Sequence, residues 1–493
     1  MGLEHAPDER SHIGRVGMKM RKWCLWQRLV LLAVVAACVL GGYSYLMSYL
    51  AWQRTLRAAG FVGEMLPPAR GERILVVAPH PDDEALGCGG LIQQAVANGA
   101  EVHVLLMTNG DASQFAVIVG EREVPWKPEN MINLGKTRQD ESRRAMQKLG
   151  LPADHVHFLG FPNNGLVPLW RPEHWLHSQL YRSPYTHLDH SPYSGCVTPL
   201  APYCGEQVLS DVLTVLGKVR PDSIFVTHPR DVHPDHWTTN AFVSYAVATA
   251  AVRGDAWAKT VRLWGYLVHW PGFPQPRRSK TMFELLPPPE LSGDGSQWYR
   301  LPLTPAQAKR KMTDVRTYVS QEPRWARMML TFPRQDEIFE ALPVRTGAIG
   351  ETIEWDTPNG KHRGLGGAEV KSVQVRIGPD SMAQVGLRTA RKQIPQQGYV
   401  CLDLRTWDEK RAPVITTLYV GAKGESKATR LEGDKPARPL LVKVEEPKPG
   451  SIEIGRLPLR GEEKREVLVT CYGSVKDRLT APAVIGRVRF GGP

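Results

Sequence analysis

Ile74-Leu75-Val76-Val77-Ala78-Pro79-His80-Pro81-Asp82-Asp83-Glu84 is the stretch on which the reading of this chain turns. Five successive apolar residues make the run of a strand buried on both faces. Two prolines stiffen the turn that leaves it, and three acids stand where a helix begins. His80 and Asp83 lie three residues apart on that turn, so both can face one ion. Asp82 between them must point elsewhere, toward a metal-bound water. Taken alone, the acidic triplet also suits a helix N-terminus, where the dipole favours negative charge.

Strands and amphipathic helices continue to alternate outward from this stretch. Strands are expected at 74–78, 102–107, 156–159, 223–227 and 261–268, and helices at 84–98, 137–149, 207–219 and 237–251. That alternation predicts a parallel sheet with helices on both faces. In such sheets ligands bind outside the carboxyl ends of the strands. Those ends carry His80 to Glu84, Thr108 to Asp111, Gly160 to Asn164, His228 to His236, and His269. Imidazoles and carboxylates gather there as a hydrolytic metal site requires; His233 or His236 can supply a third ligand beside His80 and Asp83, leaving the other free for catalysis. Gly87-Cys88-Gly89-Gly90 lacks the GxGxxG spacing and follows acids that repel pyrophosphate, so these glycines serve close helix–sheet packing.

The stretch from Val167 to Tyr203 is crowded with Trp, Tyr, His and Pro. It is expected either to wall a substrate cleft or to pack on itself at the surface. Residues 331–367 read as a linker, Gly-rich and polar from 345 onward. After it the period becomes two, with short strands expected near 373–377, 399–404, 414–420, 440–444, 467–472 and 485–490, a β-sandwich over 368–493. Tyr399, Trp407 and Tyr419 read as core aromatics, with a sugar-binding face as the alternative. Cys196 with Cys204, and Cys401 with Cys471, are candidate pairs in an exported compartment.

Leu29 to Leu50 holds 22 residues without a charge, enough for a transmembrane helix. Arg10, Arg15, Lys19, Arg21, Lys22 and Arg28 precede it, while only Arg54 and Arg57 closely follow. The positive-inside rule therefore places residues 1–28 in the cytoplasm and the rest beyond the membrane, after a connector at 51–71. Val35 to Cys38 also fits a lipoprotein cleavage box, but the apolar run continues past it. The net charge of +12 on 493 residues comes without a dense basic tract, so nucleic acid is not an expected partner. A hydrophobic share of 42% excludes wholesale disorder.

Ala78 to Ala85, with His233-Pro234-Asp235-His236, resembles the two signatures of the PIG-L (LmbE-like) zinc-dependent de-N-acetylase family. The resemblance covers about 72–325. Thr108 to Asp111, Arg138 with Glu141, Leu159 to Pro162 and Tyr318 to Gln321 sit where that family has similar motifs. It implies a Rossmann-like deacetylase domain at 72–330 and a hydrolase of linear, non-peptide amides. His80, Asp83 and His236 would then hold Zn2+. Asp82 would be the general base, His233 the imidazole facing the oxyanion, and Asp235 its orienting carboxylate. Arg138, Asn109 and His269 are expected substrate contacts, with a helix-surface bridge to Glu141 as the alternative for Arg138. The expected protein is a membrane-anchored, zinc-dependent deacetylase of an N-acetylated sugar, glycolipid or polysaccharide of the N-acetylglucosamine type. A non-catalytic glycan-binding envelope protein, or a zinc hydrolase of another amide or ester, are the rival expectations.

Overall fold

The computed structural model describes residues 10–58, 62–112, 127–276, 281–292, 295–321, 326–356, 370–380, 382–389, 394, 396–422, 425–448, 450–458, 466–475, 478–479 and 484–490. Residues 1–9 of the expected cytoplasmic segment, 357–367 of the expected linker and 368–369 of the expected sandwich lie outside these. The chain forms two units, Met1–Arg57 and Ala58–Pro493.

The first unit is one helix, α1 (Arg10–Ala58). Its stretch Leu25–Met47 is long and apolar enough to cross a membrane, by length and composition.

The second unit opens with an eight-stranded mixed sheet. Its strands are β1 (Val62–Glu64), β2 (Arg73–Ala78), β3 (Glu101–Thr108), β4 (Val156–Phe161), β5 (Ser223–Thr227), β6 (Arg262–Tyr266), β7 (Trp298–Pro302) and β8 (Asp336–Ala341). They lie in the order β1-β7-β8-β6-β5-β2-β3-β4, and β6-β5-β2-β3-β4 run parallel. The helices between them are α2 (Asp83–Asn98), α3 (Pro128–Leu149), α4 (Leu166–Trp170), α5 (Gly205–Val219), α6 (Pro234–Arg253), α7 (Ala256–Thr260), α8 (Pro305–Val315) and α9 (Ala326–Met329).

Strand β2 is apolar from Ile74 to Ala78 because both of its faces are covered there. Ile74 and Val76 join the core under α2 and α3, whereas Leu75 and Val77 join the core under α5 and α6. Gly87 brings α2 close to the sheet: a Cβ there would lie 2.2 Å from the Tyr266 ring. From β2 the chain moves to β3 and β4 on one side, while β5 and β6 lie on the other. The carboxyl ends of β2 and β5 are therefore adjacent at the point where the winding reverses.

The stretch expected as a linker carries β8, which pairs antiparallel with β6 and β7 inside this sheet. What holds it is charge as well as pairing. Glu337, fully buried, accepts the backbone N–H groups of Gly90 (2.6 Å) and Leu91 (2.8 Å) and pairs with Lys311.

The remaining strands are β9 (Arg345–Gly347), β10 (Thr352–Asp356), β11 (Val370–Ile377), β12 (Met382–Thr389), β13 (Gly398–Trp407), β14 (Pro413–Gly421), β15 (Ser426–Glu432), β16 (Lys435–Leu440), β17 (Val444–Lys448), β18 (Ser451–Pro458), β19 (Glu466–Val475), β20 (Arg478–Leu479) and β21 (Val484–Phe490). They form two sheets, β10-β11-β12-β18-β17 and β16-β15-β14-β13-β19-β21-β9, with β20 on β19. One hydrophobic core is shared between them. The strand expected at 440–444 is instead the crossing from β16 in one sheet to β17 in the other.

Strand β13 does not show the period-two burial expected of a half-exposed strand, because its second face packs on the α/β core. Trp407 is fully buried, stacks on Tyr245 of α6 and donates to the Thr249 hydroxyl at 3.2 Å. The Tyr399 hydroxyl accepts from Arg171 at 2.9 Å and its ring meets Tyr419 edge-on, so none of these three aromatics forms a sugar-binding face. Cys38, Cys88, Cys196, Cys204, Cys401 and Cys471 are free thiols. Cys401 lies opposite Tyr472 and Cys471 opposite Leu402, so the two thiols point to opposite faces of their sheet.

Arg405 is the wedge of this contact. Its guanidinium lies 3.3 Å from the Trp170 ring centroid and 4.4 Å from that of Trp175, and it donates to the Trp170 carbonyl. Asp403 accepts from Trp170 Nε1 at 3.0 Å. The two tryptophans of the aromatic insertion thus belong to this seam. Arg405→Ala removes two desolvated ring contacts and a charged hydrogen bond together, and is expected to cost about 3 kcal/mol. Arg405→Lys, which keeps charge but not the planar stack, should lose roughly half as much. Urea unfolding followed by tryptophan fluorescence measures both; an Arg405→Ala change within about 0.5 kcal/mol of wild type would show that the wedge carries no energy.

Candidate metal centre

The turn after β2 delivers His80, Asp82 and Asp83, and the loop after β5 delivers Asp231, His233, Asp235 and His236. The second loop becomes a helix at once. Pro234 takes the first helical position, and His233 caps it by accepting the Asp235 N–H on Nδ1 at 3.2 Å. His236, one turn in, is thereby aimed at the β2 turn.

Three donor atoms converge there. His80 Nδ1 lies 3.1 Å from Asp83 Oδ2, His236 Nε2 lies 3.2 Å from the same oxygen, and the two nitrogens are 3.3 Å apart. The donors of a tetrahedral zinc are spaced by about 3.3 Å, given bonds of about 2.0–2.1 Å. Behind each imidazole stands a carboxylate: Asp235 Oδ2 is 3.2 Å from His80 Nε2, and Asp231 Oδ2 is 3.2 Å from His236 Nδ1. Such carboxylates hold the outer ring proton and turn the inner nitrogen's lone pair toward a metal. His80, His233 and His236 form one group able to hold an ion, and Asp83, His236 and His269 an overlapping one.

The electrostatics favour a cation. Burial opposes charge on His236, yet Asp83 and Asp231 push its imidazole up to about 10. Burial would likewise raise Asp83, but the charge and hydrogen bond of His236, with those of His80, hold it well below the usual carboxylate range. His233 is driven well below its ordinary value by burial, then by the charges of His80 and His236. Burial and His236 bring His269 down to about 4. Burial, helped by the charge of Asp83, raises the Asp82 carboxyl well above its ordinary value.

A cavity of about 250 Å³ opens on this cluster, walled by His80, Asp82, Arg138, Asn163, His233 and His269 on the polar side, and by Leu86, Met328 and Met329 on the apolar side. No residue of the aromatic insertion lines it, so the expectation of a substrate wall there is corrected. Trp170 and Trp175 are committed to the seam, and the Tyr193 hydroxyl donates to buried Asp111 at 2.8 Å.

Two more placements differ from expectation. The Asp235 carboxylate stands behind His80, not His233; it touches His233 only through its backbone N–H, because the helix start turns its side chain inward. There it also accepts the N–H groups of Asn164 at 2.6 Å and Leu166 at 3.2 Å. Asn109 is fully buried and is not among the residues lining the cavity. Arg138 does line the cavity, but its Nη2 and Nη1 donate to the carbonyls of Pro81 (2.6 Å) and Gly110 (3.1 Å), with Nη2 3.5 Å from Asp82 Oδ2. Glu141 accepts from Ser320 instead, at 2.8 Å from its N–H and 2.6 Å from its hydroxyl.

Asp231 and Glu84 are functional groups that sequence reasoning passes over. Asp231 is fully buried; besides standing behind His236 it accepts the N–H groups of His233, Val268 and His269, at 3.0, 3.0 and 2.8 Å, and so ties two strand ends together. Its place two residues before His233 is the one sequence signal for it. Glu84 accepts the Asp82 N–H at 2.9 Å and the Tyr318 hydroxyl at 2.8 Å. The first of these bonds holds Asp82 at φ 131° and ψ −32°, a conformation that L side chains rarely adopt. Asp82→Gly should therefore be more stable than Asp82→Asn by about 1 kcal/mol, the strain relieved less the chain entropy of glycine. Equal urea midpoints for the two variants would mean that this φ stores no strain.

Residues 75–247 match the model of the family PIG-L: GlcNAc-PI de-N-acetylase. The chain is 30% identical over 186 residues to the 1D-myo-inositol 2-acetamido-2-deoxy-alpha-D-glucopyranoside deacetylase of Mycolicibacterium smegmatis, covering 36% of this chain and 54% of that protein. The protein of the same name from Kribbella flavida is 30% identical over 197 residues, covering 38% and 58%. The chain thus spans little more than half the length of these relatives. The solved N,N'-diacetylchitobiose deacetylase from Pyrococcus horikoshii is 18% identical, with 55% of this chain and 83% of that chain covered at a TM-score of 0.34. Every member of the cluster but His269 falls inside the segment that matches the PIG-L model, residues 75–247.

Proposed function

We propose that this protein is a membrane-anchored, zinc-dependent deacetylase that hydrolyses the acetamide of an N-acetylated sugar or glycoconjugate. The observation that carries the reading is the triangle of His80 Nδ1, Asp83 Oδ2 and His236 Nε2, spaced at 3.1–3.3 Å with a carboxylate behind each imidazole. The names of the relatives, deacetylases of a 2-acetamido-2-deoxy-glucopyranoside, support the substrate class. For the architecture we propose a Rossmann-like deacetylase domain and a β-sandwich that follows it. Their expected limits, 72–330 and 368–493, are extended to include β8 in the first and β9 and β10 in the second.

His80, Asp83 and His236 would hold the ion, and zinc there supplies a Lewis acid for water and for the acetamide carbonyl. The chain's own groups then move the protons. Asp82, at the cavity wall, takes a proton from the attacking water and returns it to the departing amine nitrogen. His233 has Nδ1 occupied as an acceptor, which leaves Nε2–H to donate to the carbonyl oxygen as that atom gains charge. In this role it acts as a neutral donor, unlike the charged imidazole expected from an Asp235 partner. Arg138 acts by fixing the Pro81 and Gly110 carbonyls, and with them the turn that presents Asp82. His269 and the apolar wall of Leu86, Met328 and Met329 are left to meet the substrate.

Release of acetate from a panel of N-acetylated glycans, with and without chelator, tests the reading. His80→Ala, Asp83→Ala and His236→Ala should each lose stoichiometric zinc. Asp82→Asn should keep the metal and slow turnover by roughly 10²–10⁴-fold. Retained zinc in a ligand variant, or near-normal turnover in Asp82→Asn, would remove that residue from its role.

For topology we propose that the N-terminus is cytoplasmic and the catalytic domain lies across the membrane, since basic residues gather before the apolar stretch. A reporter enzyme active only in the cytoplasm should stay silent when fused to the C-terminus. A signal from it would reverse the orientation.

A further inference from the structure

A second cavity, of about 120 Å³, lies at the seam between the α/β core and the β-strands that follow it. One wall is the loop after β5 with Arg230; the others are the segment around β9 with Arg345 and the edge of β21 with Arg487. Three arginines therefore line one small cavity. Only Arg487 has a carboxylate partner there, Glu466 at 2.8 Å, and its Nε is buried without a hydrogen-bond partner. Among the described residues neither Arg230 nor Arg345 is paired with a carboxylate. Arg230 donates to the backbone carbonyl of Asp356, and Arg345 donates to that of Glu354 while lying 5.4 Å from the Trp355 ring centroid. Glu340, the acid lining this cavity, is already engaged by His228.

Leaving such groups together is costly. Burial, with the like charge of Arg345, brings Arg230 down to about 10 against the pull of Glu340 and Asp356, where arginine normally stays far higher. A dianion placed among the three would use the idle donors and cancel the repulsion. Planar guanidinium forks match a tetrahedral oxyanion in two-pronged fashion.

We propose that this seam cavity is an anion site that binds a phosphate group between Arg230, Arg345 and Arg487. The group can be free or the headgroup of a lipid; the chemistry recognised is the same. The site is separate from the metal cluster, although the loop from Arg230 to Asp231 runs directly from one to the other.

Calorimetry of the full chain with inorganic phosphate, against chloride at matched ionic strength, tests this. Saturable one-to-one binding is expected, and Arg230→Gln and Arg345→Gln should each weaken it about tenfold or more. Arg345 is exposed, so its variant stays informative even if Arg230→Gln impairs folding, which circular dichroism would reveal. Sedimentation of the full chain, held in phosphatidylcholine nanodiscs, with phosphatidylglycerol or phosphatidylcholine vesicles distinguishes the sources. Arginine-dependent capture by the anionic vesicles alone would assign the site to a headgroup. Binding of neither phosphate nor anionic vesicles, or binding that both arginine variants retain in full, would overturn the proposal.

Discussion

Two buried carboxylates standing behind two imidazoles are the constraint on which the rest of this structure depends. Asp235 fixes His80 and Asp231 fixes His236, so that the inner nitrogens meet beside Asp83. Neither carboxylate can be moved cheaply, because each also gathers backbone N–H groups from neighbouring strand ends. Asp231 bridges the loops after β5 and β6, and Asp235 bridges α6 to the loop after β4. The sheet edge is thus organised by the same atoms that orient the donors. A centre of this kind is rigid before any ligand arrives, which is what metal-assisted hydrolysis needs.

Much of this is legible in the sequence, for identifiable reasons. The continuous apolar run of β2 announces a strand covered on both faces, and the residues after each parallel strand must share one edge. Those two rules bring His80, Asp83, His233, His236 and His269 together before any coordinates are seen. Direction of individual side chains is harder to read. Asp235 lies beside His233 in the chain, but the first turn of α6 rotates its carboxylate toward His80. Asp231 also gathers the N–H groups of Val268 and His269, distant contacts that no local pattern reveals.

The aromatic insertion shows a different limit. Trp170 and Trp175 read equally well as sugar platforms or as packing, since both uses ask for large flat rings. What decides is Arg405, some 230 residues later in the chain, whose guanidinium slides against both rings. The same contact explains why β13 loses its alternation. A sheet pressed between two cores is buried on both faces, and period two is the signature of a sheet pressed on one.

Helix α6 carries His236 at its start and lies under the later β-strands, with the Trp237 ring tilted against that of Tyr472 at 5.0 Å. On the ribosome the donors His80, Asp83 and His236 are all made well before Tyr472 exists. Until β19 is synthesised, the outer side of that helix lacks its cover, and the face meant for Tyr472 and Trp407 stays open to water. Assembly of the cluster is therefore tied to synthesis of β19, and a polypeptide released before it would carry His80, Asp83 and His236 on an unfinished support.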